Sequence, residues 1–388
     1  MYEEGAIKVI YFDNSATTKP FPEVIHSFAK VSTDFFGNPS SLHNFGGKAE
    51  QLLRQARSQV AQLLLVKPNE IIFTSGGTEG NNLAIKGASA ANKNKGRHLI
   101  TSNIEHASVL ETFRALEDDG FEVTIIEVGK DGRVNARDIE KAIREDTILV
   151  SVMHVNNEVG TIQPIEEIGE MLTNYPNVLF HVDHVQGIGK VPLQLKSASI
   201  DLCTMSSHKF HGLKGTGLLF IREGVKINPL FNGGGQESKL RCGTENVAGI
   251  VSSAKALRMI MDQFHHERNH LQNLSNELKN GLAKISGIVM NTPTQESAPH
   301  IINFSVPSIK AEVLVHALEE KEIYVSTTSA CSSKQKTVSN TLMAMGIPSH
   351  RANSAIRLSL SYSNSIEEVK SALETIEETI DLLRKVMN

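Results

Sequence analysis

The chain has 388 residues, 40% hydrophobic and 21% charged, with 39 basic side chains against 43 acidic ones and a formal net charge of -4. At about 100–200 residues per domain, this length predicts two or three domains, each able to bury a core. The charge balance carries no basic footprint for nucleic acid or an anionic membrane, and no run approaches the roughly 18–20 apolar residues of a membrane span.

The first residues carry Glu3, Glu4 and Lys8 and lack the apolar stretch of a signal peptide, so a cytoplasmic setting is expected. Residues 48–65 place Leu52, Leu53, Ala56, Val60, Ala61 and Leu64 at helical spacing, ended by Lys67-Pro68-Asn69. Short apolar strands are then expected at 70–74, 98–102, 122–128, 147–153, 178–182, 202–206 and 217–221, mostly separated by amphipathic helices. That alternation predicts an α/β architecture with a mainly parallel sheet covered on both faces. After a Gly233-Gly234-Gly235 break, a long helix is expected from about 245 to 282. The remainder reads as a smaller α/β unit, with strands at 300–306, 323–326 and 355–361 and helices near 310–320 and from 365 onward. The chain is divided on this basis into a large domain, 15–258, and a small one formed by 1–14 and 259–388.

Four features follow predicted strands, where ligands of open α/β sheets bind. Thr74-Ser75-Gly76-Gly77-Thr78-Glu79 opens a helix whose first N–H groups suit a phosphate, although alone it equally suits ordinary helix capping. Asp183 ends a strand where a carboxylate beside a pyridine nitrogen would keep that nitrogen protonated. His181 and His184 beside it also admit a metal reading, against which stands Leu179 where a further histidine would be needed. Lys209, in Ser206-Ser207-His208-Lys209, is placed to form a Schiff base or, in the plainer reading, to face solvent. His106, in Ser102-Asn103-Ile104-Glu105-His106, is either a helix cap or a group stacked on a ring. Together the four fit a phosphate cradle, a ring acid, a Schiff-base lysine and a stacking histidine.

Three cysteines, Cys203, Cys242 and Cys331, are widely spaced, so neither a disulfide framework nor a zinc-binding pair is indicated. Cys203 sits in an apolar strand and reads as a small buried hydrophobe. Cys331 lies among Ser, Thr and Lys residues, with Lys334 and Lys336 able to favour its thiolate.

Residues 11–18 (YFDNSATT), 36–43 (FGNPSSLH), 73–79 (FTSGGTE), 153–160 (MHVNNEVG), 207–209 (SHK), 233–237 (GGGQE) and 329–332 (SACS) resemble, in order, the NifS/IscS-like cysteine desulfurases. These are class-V aminotransferase-like pyridoxal-phosphate enzymes of fold type I. The resemblance implies that Lys209 carries pyridoxal phosphate, that Asp183 pairs with the ring nitrogen, and that His106 stacks on the ring and shuttles protons. Gln186 and Asn157 would lie near the phenolic oxygen. Gly77, Thr78, Ser206 and His208 would hold the phosphate, and Thr244 would reach the phosphate of a neighbouring subunit in a homodimer. Asn157 and Arg357 would hold the carboxylate of the substrate, L-cysteine, whose sulfur would pass to Cys331 as a persulfide. A sulfur-acceptor protein, an iron–sulfur scaffold or a tRNA-thiolation enzyme, would take it from there. The context of Cys331 matches the long-loop branch.

The sequence departs from the family pattern at His184, placed by the resemblance against the ring face, where an imidazole is expected to crowd or stack on the cofactor, and at Thr328, expected to stiffen the loop. Gly80-Asn81, Ser238-Lys239 and Cys242 depart as well, and none of these removes a residue assigned to chemistry. Two other readings stay open: another pyridoxal-phosphate lyase or aminotransferase of this fold, and a sulfur-relay protein that no longer uses the cofactor.

Overall fold

The computed structural model describes residues 9–327 and 338–387. In chain order the strands and α-helices are β1 (Ile10–Tyr11), α1 (Pro22–Asp34), α2 (Asn44–Leu63), β2 (Ile71–Thr74), α3 (Gly77–Asn92), β3 (His98–Ser102), α4 (Ala107–Asp118) and β4 (Glu122–Ile126). Next come α5 (Ala136–Ala142), β5 (Thr147–Met153), α6 (Ile165–Leu172), β6 (Leu179–Asp183), β7 (Leu202–Ser206), β8 (Gly217–Ile221) and α7 (Val247–Leu282). The last are β9 (Val289–Met290), β10 (Ile301–Ser305), α8 (Ala311–Glu319), β11 (Ile323–Tyr324), β12 (Ser326–Thr327), α9 (Asn340–Ala344), α10 (Ser349–Ala352), β13 (Ala355–Ser359) and α11 (Ile366–Met387).

Seven strands form one sheet in the order β2-β8-β7-β6-β5-β3-β4. Only β8 runs against its neighbours, so the expected mainly parallel sheet is present. The interior strand β5, Thr147-Ile-Leu-Val-Ser-Val-Met153, is buried along its whole length because helices cover both faces, which explains an apolar run without alternation. The edge strand β4 buries only Ile126 and exposes Glu122 and Ile125. Helix α3 packs across β5, β6, β7 and β8. The close approach depends on Gly80, where a Cβ would stand 2.6 Å from the Thr204 side chain.

A second, antiparallel sheet has the order β12-β13-β10-β9. The strand expected at 323–326 divides here. Residues 323–324 pair with β1 as β11, and 326–327 join β13 as β12, so adjacent residues serve two sheets. The 36-residue α7 packs on α1 and α2, and also on α11. Helix α1 went unread in the sequence despite Pro22 at its first position and the buried pair Val24 and Val31 on one face. Among the described residues no helix is long and apolar enough to cross a membrane.

Candidate active site

Because β2, β3, β5, β6 and β7 run the same way, their carboxyl ends meet at one edge of the sheet, and a cavity of about 240 Å³ opens there. Each strand end delivers one part of its wall. After β2, Gly76 turns the chain with φ 153°, a conformation that L side chains rarely adopt, and Gly77 and Thr78 begin α3 at the cavity. The first-turn N–H groups there, with Ser206 and His208 also on the wall, make an end of the cavity that suits an anion. Burial holds the His208 imidazole down at about 4, helped by the charges of Lys209, Lys214 and Lys190, so it is neutral near pH 7.

After β3, His106 caps α4. Its Nδ1 accepts the backbone N–H of Ser108 at 3.1 Å and lies 2.8 Å from the Ser108 hydroxyl. The cap reading of His106 holds, and the same ring lines the cavity. After β5, Asn156 folds a turn by accepting the N–H groups of Glu158 and Val159, which leaves Asn157 on the wall. At the end of β6 the buried Asp183 accepts the Val185 N–H at 2.9 Å and the Asn81 amide at 2.8 Å. Gln186 donates to the Ser15 carbonyl at 3.0 Å. After β7 a single helical turn, Ser207–Lys209, projects Lys209, whose Nζ donates to the carbonyls of Ser15 and Ala16, the latter at 2.8 Å. Behind it the buried Lys190 donates to the Lys209 carbonyl at 2.7 Å. Burial brings the Lys190 ammonium down to about 7, and the Lys209 charge adds to the effect.

Arg357, on β13, crosses from the small sheet to complete the wall. It donates to Asn157 O at 3.0 Å and to Asp13 Oδ1 at 2.9 Å, while its buried Nε has no partner. A guanidinium held in place by two contacts on the cavity wall is the planar cation that suits an incoming carboxylate.

The cavity thus gathers Gly77, Thr78, His106, Asn157, Asp183, Gln186, Ser206, His208, Lys209 and Arg357 from the residues expected in the sequence. Thr244 is exposed and lies outside it. Cys331 falls in residues 328–337, outside the described residues. Ser108 and Val185 also line the cavity and went unread, as did the contact of Asp13 with Arg357. Asn81, read only as a departure from the family pattern, lines it too, one helical turn beyond Gly77 on the same face of α3.

The expectation for His184 is corrected. It does not line the cavity but is buried, its Nδ1 2.8 Å from Nδ1 of His154, and Val185 takes the wall position. The Asp183 carboxylate accepts the Val185 N–H in a local turn that leaves Val185 on the wall, while His184 packs against His154. The expected crowding therefore does not arise. His181 spends both ring nitrogens on hydroxyls, Ser151 at 2.8 Å and Thr204 at 3.1 Å, and among the described residues no metal-ligating cluster forms. Cys203 is fully buried and its thiol pushed well up by burial.

A helix start whose N–H groups suit a phosphate, a carboxylate, an imidazole and a valine on the wall, and an amine just after a strand fit a phosphorylated pyridine aldehyde. The family comparison agrees. The aminotransferase class-V model matches residues 10–371. A NifS/IcsS protein homolog of Lactobacillus delbrueckii is 47% identical over 380 residues, covering 97% of this chain and 99% of the relative. A cysteine desulfurase IscS of Clostridium botulinum is 44% identical, covering 98% and 96% respectively. A solved NifS-like protein superposes with a TM-score of 0.91 at 40% identity, covering 97% of this chain and all of that one. The structure of SspA in complex with cysteine superposes at 0.80 with 33% identity, covering 90% and 98%. Pyridoxal phosphate is the cofactor of this family, and the chain belongs to the class-V aminotransferases, among their NifS- and IscS-like members.

Proposed function

We propose that the protein is a cysteine desulfurase, taking sulfur from L-cysteine onto Cys331 and leaving L-alanine. The observation that carries the reading is the convergence of Lys209, Asp183, His106 and Arg357 on one cavity from four strands or strand ends of two sheets. When bound, pyridoxal phosphate supplies a carbonyl for amines and a ring that stores the electron pair released at the substrate's α-carbon.

The chain's own residues do the rest. Gly77, Thr78, Ser206 and His208 hold the phosphate, Asp183 faces the ring nitrogen, Gln186 and Asn157 lie near the phenolic oxygen, and Arg357 with Asn157 orients the substrate carboxylate. Lys209 takes the α-proton. Cys331 attacks the substrate sulfur as thiolate; the new S–S bond forms as the C–S bond breaks, and the carbon left behind is protonated to alanine. Both ends of the segment bearing Cys331 are anchored beside the cavity, which supports this role. Ser326 is in register with Arg357, and the Ser339 hydroxyl binds Glu158, next to Asn157.

The reading extends to a homodimer in which Thr244 completes the partner's phosphate site, to a cytoplasmic setting, and to transfer of the persulfide to an iron–sulfur scaffold or thiolation enzyme. The division into a large domain, 15–258, and a small one, 1–14 with 259–388, belongs to the same proposal. The test is the visible spectrum of the purified protein, followed by cysteine and then borohydride. A Schiff-base band that cysteine shifts, with reduction trapping the cofactor on Lys209, is expected. Cys331→Ala is expected to keep the colour and lose sulfur release; undiminished sulfur release by that variant would refute the mechanism.

A further inference from the structure

Between the two wall groups Asp183 and His106 lies a buried pair that no part of the proposed mechanism uses. Asn81 is 1% exposed, and its Nδ2 donates both to Asp183 Oδ2 at 2.8 Å and to Ser108 Oγ at 2.9 Å. A carboxylate only accepts, so the amide orientation is set: nitrogen toward Asp183, oxygen away. Both amide hydrogens are then committed. Ser108 Oγ, having accepted one of them, has its own hydrogen left for His106 Nδ1, 2.8 Å away.

The backbone N–H of Ser108 points at the same Nδ1 from 3.1 Å, and the peptide plane fixes where that hydrogen lies. Two donors converging on one ring nitrogen require a lone pair there. A hydrogen on Nδ1 would collide with the peptide hydrogen, so the neutral ring carries its proton on Nε2.

We infer that Asn81 and Ser108 are positioning residues that, through one amide and one hydroxyl, hold the Asp183 carboxylate and lock His106 in its Nε2–H form. His106 then serves the cavity as a neutral hydrogen-bond donor. With Nε2 already protonated the ring can give a proton to the cavity but not take the α-proton, which falls to Lys209, so the proton shuttling expected of His106 is confined to donation. The role given to that donor rests on the proposed function; the tautomer does not.

The test is a long-range ¹⁵N–¹H spectrum of histidine-labelled protein near neutral pH, with the His106 signals identified by their loss in His106→Gln. The Nε2–H pattern is expected, and it should persist in Ser108→Ala, which keeps the peptide donor. An Nδ1–H or doubly protonated ring in the wild-type protein would overturn the inference. Asn81→Ala is expected to weaken pyridoxal-phosphate binding roughly tenfold, because a buried charged acceptor loses a donor. Binding as tight as wild type would remove Asn81 from the chain of contacts. Wild-type protein that shows the Nε2–H ring yet takes up no cofactor would sink the proposed function while supporting the tautomer.

Discussion

Glu105 stands beside His106 and is 6% exposed. Its Oε1 accepts from Ser102 Oγ at 2.6 Å and from the Met153 N–H at 2.9 Å, while Oε2 is buried without a partner. Burial, with the Asp183 charge adding, pushes the carboxyl up from 4.5 to about 8 against the two hydrogen bonds that favour its ionised form. The folded protein therefore keeps a proton near neutral pH that the unfolded chain gives up. Stability is then greatest below the unfolded pKa and is lost as pH rises from about 4.5 toward 8. At about 1.4 kcal/mol per unit, the full window is worth on the order of 5 kcal/mol.

Glu105→Gln cannot ionise. It keeps the oxygen that Ser102 and Met153 use, but buries an amide nitrogen where Oε2 now has no partner, at a pH-independent cost of roughly 1–3 kcal/mol. The variant is thus expected to be less stable than wild type near pH 5 and more stable near pH 8. Urea unfolding of both cofactor-stripped proteins across that range measures the difference, in which all other titrating groups cancel. A difference that does not change with pH would refute the reasoning.

Two further expectations follow from other buried groups. The Glu237 side chain is 2% exposed and is bound by Arg57 and by the Phe73 N–H, so Arg57→Ala leaves a buried carboxylate without its cation. A loss of roughly 3–5 kcal/mol is expected in denaturant unfolding, and a loss under about 1 kcal/mol would contradict it. His154, paired with His184, is pushed by burial from 6.5 to about 3. The unfolded chain takes up a proton that the fold refuses, so stability falls as pH drops from about 6.5 toward 3. His154→Gln is expected to flatten that acid limb in a thermal-melting series, and an unchanged slope would count against a neutral buried ring.

Most of the architecture was legible because the order of elements is written in local patterns. Apolar runs of strand length, ended by Thr74, Ser102, Met153 and Ser206, coincide with observed strands, and Gly76-Gly77 marks a turn that only glycine adopts easily at its first position. The cofactor class followed from the same source, since phosphate cradle, ring acid and lysine each sit at or just beyond the carboxyl end of a strand. The short strands β1 and β9 gave no such signal: two residues pairing with a distant partner have no period to read.

From sequence alone, then, came the alternation of strands and helices, the parallel sheet and the edge at which a ligand binds, because these depend on neighbours in the chain. Which side chains meet at that edge was decided only by the tertiary structure. Asp13 holds Arg357 across a separation of 344 residues, and Asn81 holds Asp183 across 102. Val185 rather than His184 lines the cavity while His184 is buried against His154, 30 residues before it. Such contacts join residues far apart in the chain and leave no periodicity to read.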